Sequence, residues 1–310
     1  MKIVYLDAAT VGDVSFASIA ALGELVCWPE STAEEALERV KDCNVLIVNK
    51  VLVTRELLDA APALRLVCEA ATGVNNIDLE ACRERNIPVR NVAGYSTDSV
   101  VQATFMHILS LLGNAPYYDN TVKNGTYSAG TLFTDVSRSF YEIRGKRIGI
   151  VGMGAIGTGV ARVAEAFGME VVYYSTSGTG HCREWPSISL EELMRTSDVI
   201  SIHAPYNERT AGLIGEAELA MMKPSAIIVN MGRGGIVDEE ALAQAIDNDS
   251  IGGAALDVFA REPLPGDSPL LRTRHPEKLR FTPHTAWASV EARTRLINCI
   301  ADNIRTEMGL

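Results

Sequence analysis

Lys146-Arg147-Ile148-Gly149-Ile150-Val151-Gly152-Met153-Gly154-Ala155-Ile156-Gly157-Thr158-Gly159-Val160-Ala161 begins as an apolar strand over 146–151, passes through a glycine-punctuated turn, and continues as a helix over 155–167. The turn matches G-x-G-x-x-G in the context that gives the pattern meaning, after a strand and at the start of a helix. The first glycine permits the tight turn. The second lets backbone N–H groups approach a pyrophosphate at the positive helix end, and the third lets helix pack on strand. A bare strand-to-helix turn would use the same residues, but with these flanks the stretch reads as a dinucleotide cradle. The next strand, 171–174, runs into Ser175-Thr176-Ser177-Gly178. The acidic ribose ligand expected about 20 residues on is missing. NAD and NADP therefore both stay open, with Ser175 at the selecting position.

Outward from this loop the chain alternates short β-branched runs with helical patterns. Strands are expected at 3–6, 45–48 and 66–69 before the loop, and at 199–203, 226–230 and 253–256 after it. This is the βα rhythm of parallel sheets, and it occurs twice in series. Ser31 with Glu34 and Ser189 with Glu192 fit the capping box at helix starts. A long helix is expected over 97–112, whereas 114–144, rich in Gly, Tyr, Ser and Asn, reads as irregular.

With 310 residues, 47 % of them hydrophobic, the chain has enough material for two domains. A formal net charge of −11 opposes the positive field needed to track nucleic-acid phosphates, so no nucleic-acid partner is expected. The apolar run at the N-terminus ends at Asp7, too early for a signal-peptide core. The stretch 100–112, interrupted by Gln102 and His107, is too short to span a bilayer. A cytoplasmic protein without a membrane partner is expected. The six cysteines are scattered without a CxxC pair, and His181-Cys182 has no second ligand pair at zinc spacing, so no metal is expected.

Three downstream segments place ionisable residues where strands should end. Arg233, within Asn230-Met231-Gly232-Arg233-Gly234-Gly235, follows an apolar strand and can meet a carboxylate with a planar fork; the plain alternative is a surface ion pair. Glu262 precedes Pro263, and His284 follows Pro283. A carboxylate accepting from one imidazole nitrogen fixes the tautomer and favours the cation, which makes such a pair a general acid for a ketone oxygen. Taken singly, each could be an ordinary loop residue.

Together these segments resemble the D-isomer-specific 2-hydroxyacid dehydrogenases along essentially the whole chain. The resemblance is carried by Ala71-Thr72-Gly73-Val74-Asn75-Asn76-Ile77-Asp78, the glycine loop, His203-Ala204-Pro205, the block from Asn230 to Leu242, Asp257-Val258-Phe259 with Glu262-Pro263, and Thr282-Pro283-His284. Within the family the chain is most similar to glycerate dehydrogenases, also called hydroxypyruvate reductases, through residues 94–100 and 282–287. The resemblance implies NAD(P)-dependent reduction of a small 2-keto acid, hydroxypyruvate or glyoxylate, to a D-2-hydroxy acid. In that reaction Arg233 orients substrate, His284 donates the proton and Glu262 sustains the His284 cation.

By the same resemblance the dinucleotide contacts Gly152, Gly154, Ala155, Ile156 and Gly157 of the loop, and Ser175 after the second strand. It further contacts Thr104 and Thr210, the run His203, Ala204 and Pro205, the run Met231, Gly232 and Arg233, and finally Asp257 and His284. Thr104 and Thr210 could equally be helix and turn hydroxyls. Substrate would meet the Thr72 and Gly73 amides, Asn49, Lys50, Arg233 and Trp287. The implied architecture is two Rossmann-like doubly wound domains with a cleft between them. Residues 1–98 with 288–310 form a substrate-binding lid, residues 99–287 bind the dinucleotide, and the molecule is a homodimer. Gln102 and Ser175 depart from the family's usual Glu and Asp. A nucleotide-sugar epimerase is disfavoured because no Tyr-x-x-x-Lys occurs. A dinucleotide-sensing interaction protein, or a short phosphoglycerate dehydrogenase lacking the further regulatory domain such chains often carry, stays open.

Overall fold

A computed structural model describes residues 1–180 and 182–310, so the His181 half of the His181-Cys182 pair lies outside the described residues. The chain forms two compact units, Met1–Ser96 with Trp287–Leu310, and Thr97–Ala286.

In the first unit β1 (Lys2–Tyr5), α1 (Ala17–Ala20), β2 (Glu24–Cys27), α2 (Ala33–Arg39), β3 (Val45–Val48), α3 (Arg55–Asp59), β4 (Leu66–Glu69), α4 (Leu79–Glu84) and β5 (Val89–Arg90) follow in order. The strands form one parallel sheet in the order β2-β1-β3-β4-β5. Side chains alternate across its two faces. Ile3, Tyr5, Val45, Ile47, Leu66 and Cys68 enter one core, while Val4, Leu6, Leu46, Val48 and Val67 enter the other with Leu57, Leu58 and Ala81 of the covering helices. Such two-sided burial explains the continuous apolar runs. The edge strand β2 has no comparable sequence signal, because its pattern is half-exposed and includes Glu24.

The second unit contains α5 (Thr97–Leu112), α6 (Ala115–Lys123), α7 (Thr126–Ala129), β6 (Arg147–Val151), α8 (Ala155–Ala166), β7 (Glu170–Tyr174), α9 (Leu190–Thr196), β8 (Val199–Ile202), α10 (Glu216–Met221), β9 (Ile227–Asn230), α11 (Glu239–Asp247), β10 (Gly253–Leu256) and β11 (Leu279–Phe281). Its six parallel strands run β11-β10-β9-β8-β6-β7. The order reverses between β6 and β8, the switch point where open α/β sheets bind ligands at their carboxyl edge. The final helix, α12 (Val290–Met308), buries Leu296, Ile297, Ile300 and Ile304 in the first unit's Ile3–Tyr5 core.

Two local expectations need correction. The first capping box is formed by Thr32 and Glu35, one residue later than expected, because Ser31 Oγ is engaged by the Leu6 carbonyl and Arg39. Ser189 does cap α9, accepting from the Glu192 amide at 3.1 Å. Residues 114–144 are irregular only beyond 129, since Asn114 turns the chain in the left-handed region and Pro116, in the first turn of α6, is tolerated where no helical N–H bond is lost.

The cysteines of the described residues are all free; burial pushes the Cys43 and Cys68 thiols up to about 12, so both remain protonated.

Candidate active site

Loops leave the carboxyl edge of the second sheet after each of its six strands, β6 to β11. The loop after β6 is the glycine turn. Gly152 sits at φ +94°, and a Cβ there would lie 2.9 Å from the Ala204 amide nitrogen. A Cβ on Gly157 would come within 2.3 Å of the Gly152 carbonyl, so any side chain would push helix from strand. At Gly154, the N-cap of α8, an added Cβ meets nothing within 4 Å. Gly154 and Ala155 are exposed and Ile156 half-exposed. Backbone amides at the helix start are therefore open to an anion, and these residues fit a dinucleotide pyrophosphate.

After β8, His203 bonds Ser201 Oγ through Nε2 at 2.8 Å, and its Nδ1 is enclosed without a partner. Burial lowers the imidazole pKa to about 3, so the ring is neutral. Ala204 is buried and Pro205 exposed. Thr210 Oγ1 donates to the Pro205 carbonyl at 2.6 Å and accepts from the Asn207 amide at 2.8 Å. Thr104 Oγ1 donates to the Val100 carbonyl within α5. Both threonines are fully buried, so the structure uses their hydroxyls internally and does not bring them to the loop surface.

After β9, buried Asn230 shapes the turn: its Oδ1 accepts from the Gly232 amide and its Nδ2 donates to the Arg233 carbonyl. Met231 and Gly232 are buried, whereas Arg233 is exposed with Nη1 on the Gly232 carbonyl. Among the described residues no carboxylate pairs with its guanidinium, which removes the surface ion-pair reading.

The acid pair joins the last two loops. Asp257, 2 % exposed, accepts from Thr282 Oγ1 and the Thr285 amide on Oδ1 and from the Ala286 amide on Oδ2. Its side chain thus fastens the loop carrying His284. That residue is held at φ +55°, a conformation costing of order 1 kcal/mol for a non-glycine, by its amide bonding the Asp257 and Thr282 carbonyls. Glu262 accepts from the Phe259 amide on Oε1, and its Oε2 lies 2.6 Å from His284 Nδ1. The His284 and Glu262 side chains are 27 % and 33 % exposed, so both can be reached from solvent.

In the first unit, Asp7 at the end of β1 has a structural role that sequence reasoning missed. It is buried and accepts the amides of Asn49, Lys50 and Val51, which sets the loop after β3. The only available signal was its position closing an apolar strand. Asn49 Nδ2 donates to Thr10 Oγ1 while Lys50 is exposed. Thr72 Oγ1 donates to the Val92 carbonyl, and the Thr72 carbonyl accepts from Asn91, which pins the run before Gly73. Trp287 packs edge-on against Tyr95 at 6.1 Å. Among the described residues no group of three or more potential metal ligands occurs.

The pattern of one family, described as "D-isomer specific 2-hydroxyacid dehydrogenase, NAD binding domain", matches residues 105–286. The chain is 37 % identical over 308 residues to a "Putative 2-hydroxyacid dehydrogenase" of Haemophilus influenzae, covering 98 % of this chain and 97 % of that protein. It is 32 % identical over 314 residues to a "Hydroxypyruvate reductase" of Blautia hydrogenotrophica, covering 98 % and 96 %. The crystal structure of the TT0316 protein from Thermus thermophilus superposes with a TM-score of 0.89 at 30 % identity, covering 100 % of this chain and 97 % of that one.

Proposed function

Because the chain belongs to the D-isomer specific 2-hydroxyacid dehydrogenase family, an oxidoreductase family with an NAD-binding domain, we propose that it reduces hydroxypyruvate or glyoxylate through Arg233, Glu262 and His284. The observation that carries this assignment is the 2.6 Å bond between His284 Nδ1 and Glu262 Oε2. It directs Nε2–H outward as the donor and compensates the positive charge on the ring. When bound, the nicotinamide supplies the hydride. His284 gives its Nε2 proton to the keto oxygen as that oxygen gains negative charge, and the oxygen becomes the hydroxyl of the product. Arg233 offers a planar fork to the substrate and stabilises the same developing charge. Positioning and electrostatics do most of the catalysis.

The Thr72 and Gly73 amides, with Asn49, Lys50 and Trp287, hold the substrate end of the reaction. The glycine loop, Ser175 and the 203–205 and 231–233 runs hold the dinucleotide. Thr210 props the 203–205 run and Asp257 fastens the His284 loop, while the Thr104 hydroxyl is spent within α5. The protein acts in the cytoplasm as a homodimer. The scattered spacing of its cysteines supports the compartment, and the exposed apolar run of Leu132, Phe133, Val136, Phe140 and Tyr141 supports the dimer. No described helix is long and apolar enough to cross a membrane.

Following absorbance at 340 nm with hydroxypyruvate, glyoxylate, pyruvate and branched 2-keto acids, with NADH and NADPH, tests the reading. Turnover fastest with the two smallest polar acids is expected. Saturable dinucleotide binding without turnover of any acid would sink it in favour of a sensor.

A further inference from the structure

The carboxyl end of β7 is where a dinucleotide's adenosine ribose is read in this fold. Here it is occupied by Ser175-Thr176-Ser177-Gly178-Thr179, with no carboxylate before Glu184. Read along the chain, the Ser175, Thr176 and Ser177 hydroxyls can donate to a phosphate or bond a ribose. In the structure they close their own turn. Ser175 Oγ donates to the Thr179 carbonyl at 2.6 Å and lies 3.0 Å from Ser177 Oγ, while Gly178, at φ +81°, donates its amide to the Ser175 carbonyl.

A cation from elsewhere covers that turn. Arg209, from the loop after β8, reaches across with Nη1 2.8 Å from the Ser177 carbonyl, and a Cβ on Gly178 would lie 3.7 Å from the same nitrogen. The loop carrying it is preformed by the buried Thr210 hydroxyl and by the Arg209 amide donating to Asn207 Oδ1 at 2.9 Å. Arg209 is exposed, and among the described residues no carboxylate pairs with it. One of its five donors is engaged by a neutral carbonyl, and the others remain for an anion.

We propose that Arg209 receives the 2′-phosphate of NADP(H), so that this protein prefers the phosphorylated dinucleotide. The inference rests on the second unit binding a dinucleotide at its glycine loop. A guanidinium meets a phosphate monoester with parallel charge-assisted bonds, and the usual repelling carboxylate is missing. Solvent exposure of Arg209 limits the preference to between about tenfold and 100-fold.

Isothermal titration of the purified protein with NADP+, NAD+, 2′,5′-ADP and 5′-AMP tests this without relying on turnover. NADP+ and 2′,5′-ADP are expected to bind at least about tenfold tighter than NAD+ and 5′-AMP. Arg209→Gln should weaken the two phosphorylated ligands by about tenfold and leave NAD+ within about twofold. Ser175→Asp, with Arg209 intact, should shift the preference toward NAD+. Equal affinities in the wild type, or equal losses for both dinucleotides in Arg209→Gln, would overturn the proposal and leave Arg209 as a clamp on the turn. Absence of binding by both dinucleotides would overturn the reading of the glycine loop as well, whereas NAD+ binding alone would overturn only the role of Arg209.

Discussion

His284 is joined to Glu262 at 2.6 Å by two loops that share one sheet edge, and the chemistry assigned to the pair can be probed one atom at a time. His284→Ala should lower kcat by about 10²- to 10⁴-fold while dinucleotide affinity, measured by titration, stays within about twofold, because the glycine loop is untouched. A variant retaining wild-type kcat would remove His284 from the mechanism. Glu262→Gln replaces the carboxylate that holds Nδ1 with a neutral amide, so kcat should fall by at least about tenfold while dinucleotide affinity stays within about twofold. An unchanged kcat would count against the pair. Arg233→Lys keeps the charge but loses the planar fork, and kcat/KM should fall by at least about tenfold, roughly 1.4 kcal/mol. A smaller loss would show that a point charge suffices. These three candidates were legible in the sequence because each follows an apolar strand and lies in a motif of fixed order. Asp257 was legible only as a motif member. Its function as the anchor of the His284 loop depends on three donors that lie 25 to 29 residues away.

At the scale of elements, the glycine turn separates two constraints. Gly157 keeps α8 against β6, whereas Gly154 borders open space. Gly154→Ala should therefore melt within about 2 °C of the wild type yet bind dinucleotide at least about tenfold more weakly, since its methyl obstructs the approach to the N-terminal amides. Gly157→Ala should lose stability as well, because the clash is with backbone. Melting curves and titration on both variants check the distinction; equal Tm losses would mean that Gly154 too is a packing residue. The strand–turn–helix pattern was readable because its periods change from 2 to 3.6 within a few residues. The helices α6 and α7 were not, since in that segment turn-forming residues are interleaved with helical ones and local propensity is a weak guide.

For the whole molecule, the buried acid of the first unit has a consequence that differs from ordinary acid denaturation. Burial, reinforced by Asp7 and opposed by Asn76 and Lys50, pushes the Glu69 carboxyl from an ordinary 4.5 up to about 8. Its Oε1 has no partner, and its Oε2 accepts from Asn76. Between those pH values the unfolded chain has released this proton and the folded chain retains it. Folding takes up a proton, and this group's contribution to stability falls as pH rises, by at most about 1.4 kcal/mol per pH unit. Urea unfolding of wild type and Glu69→Gln from pH 5 to 8 should show wild-type stability falling with pH relative to the variant; a difference that does not change with pH would mean that Glu69 is ionised in the fold. By itself the amino-acid sequence determined the two parallel-sheet units and the glycine loop and singled out Arg233, Glu262 and His284 as candidates, because these depend on spacing over a few residues and on the order of motifs. Only the tertiary structure decided that Glu69 is enclosed, that Asp7 shapes the loop after β3, and that Arg209 lies over a turn 32 residues earlier in the chain. Those pairings follow from how parallel strands bring distant loops to one sheet edge, a relation that local periodicity does not encode.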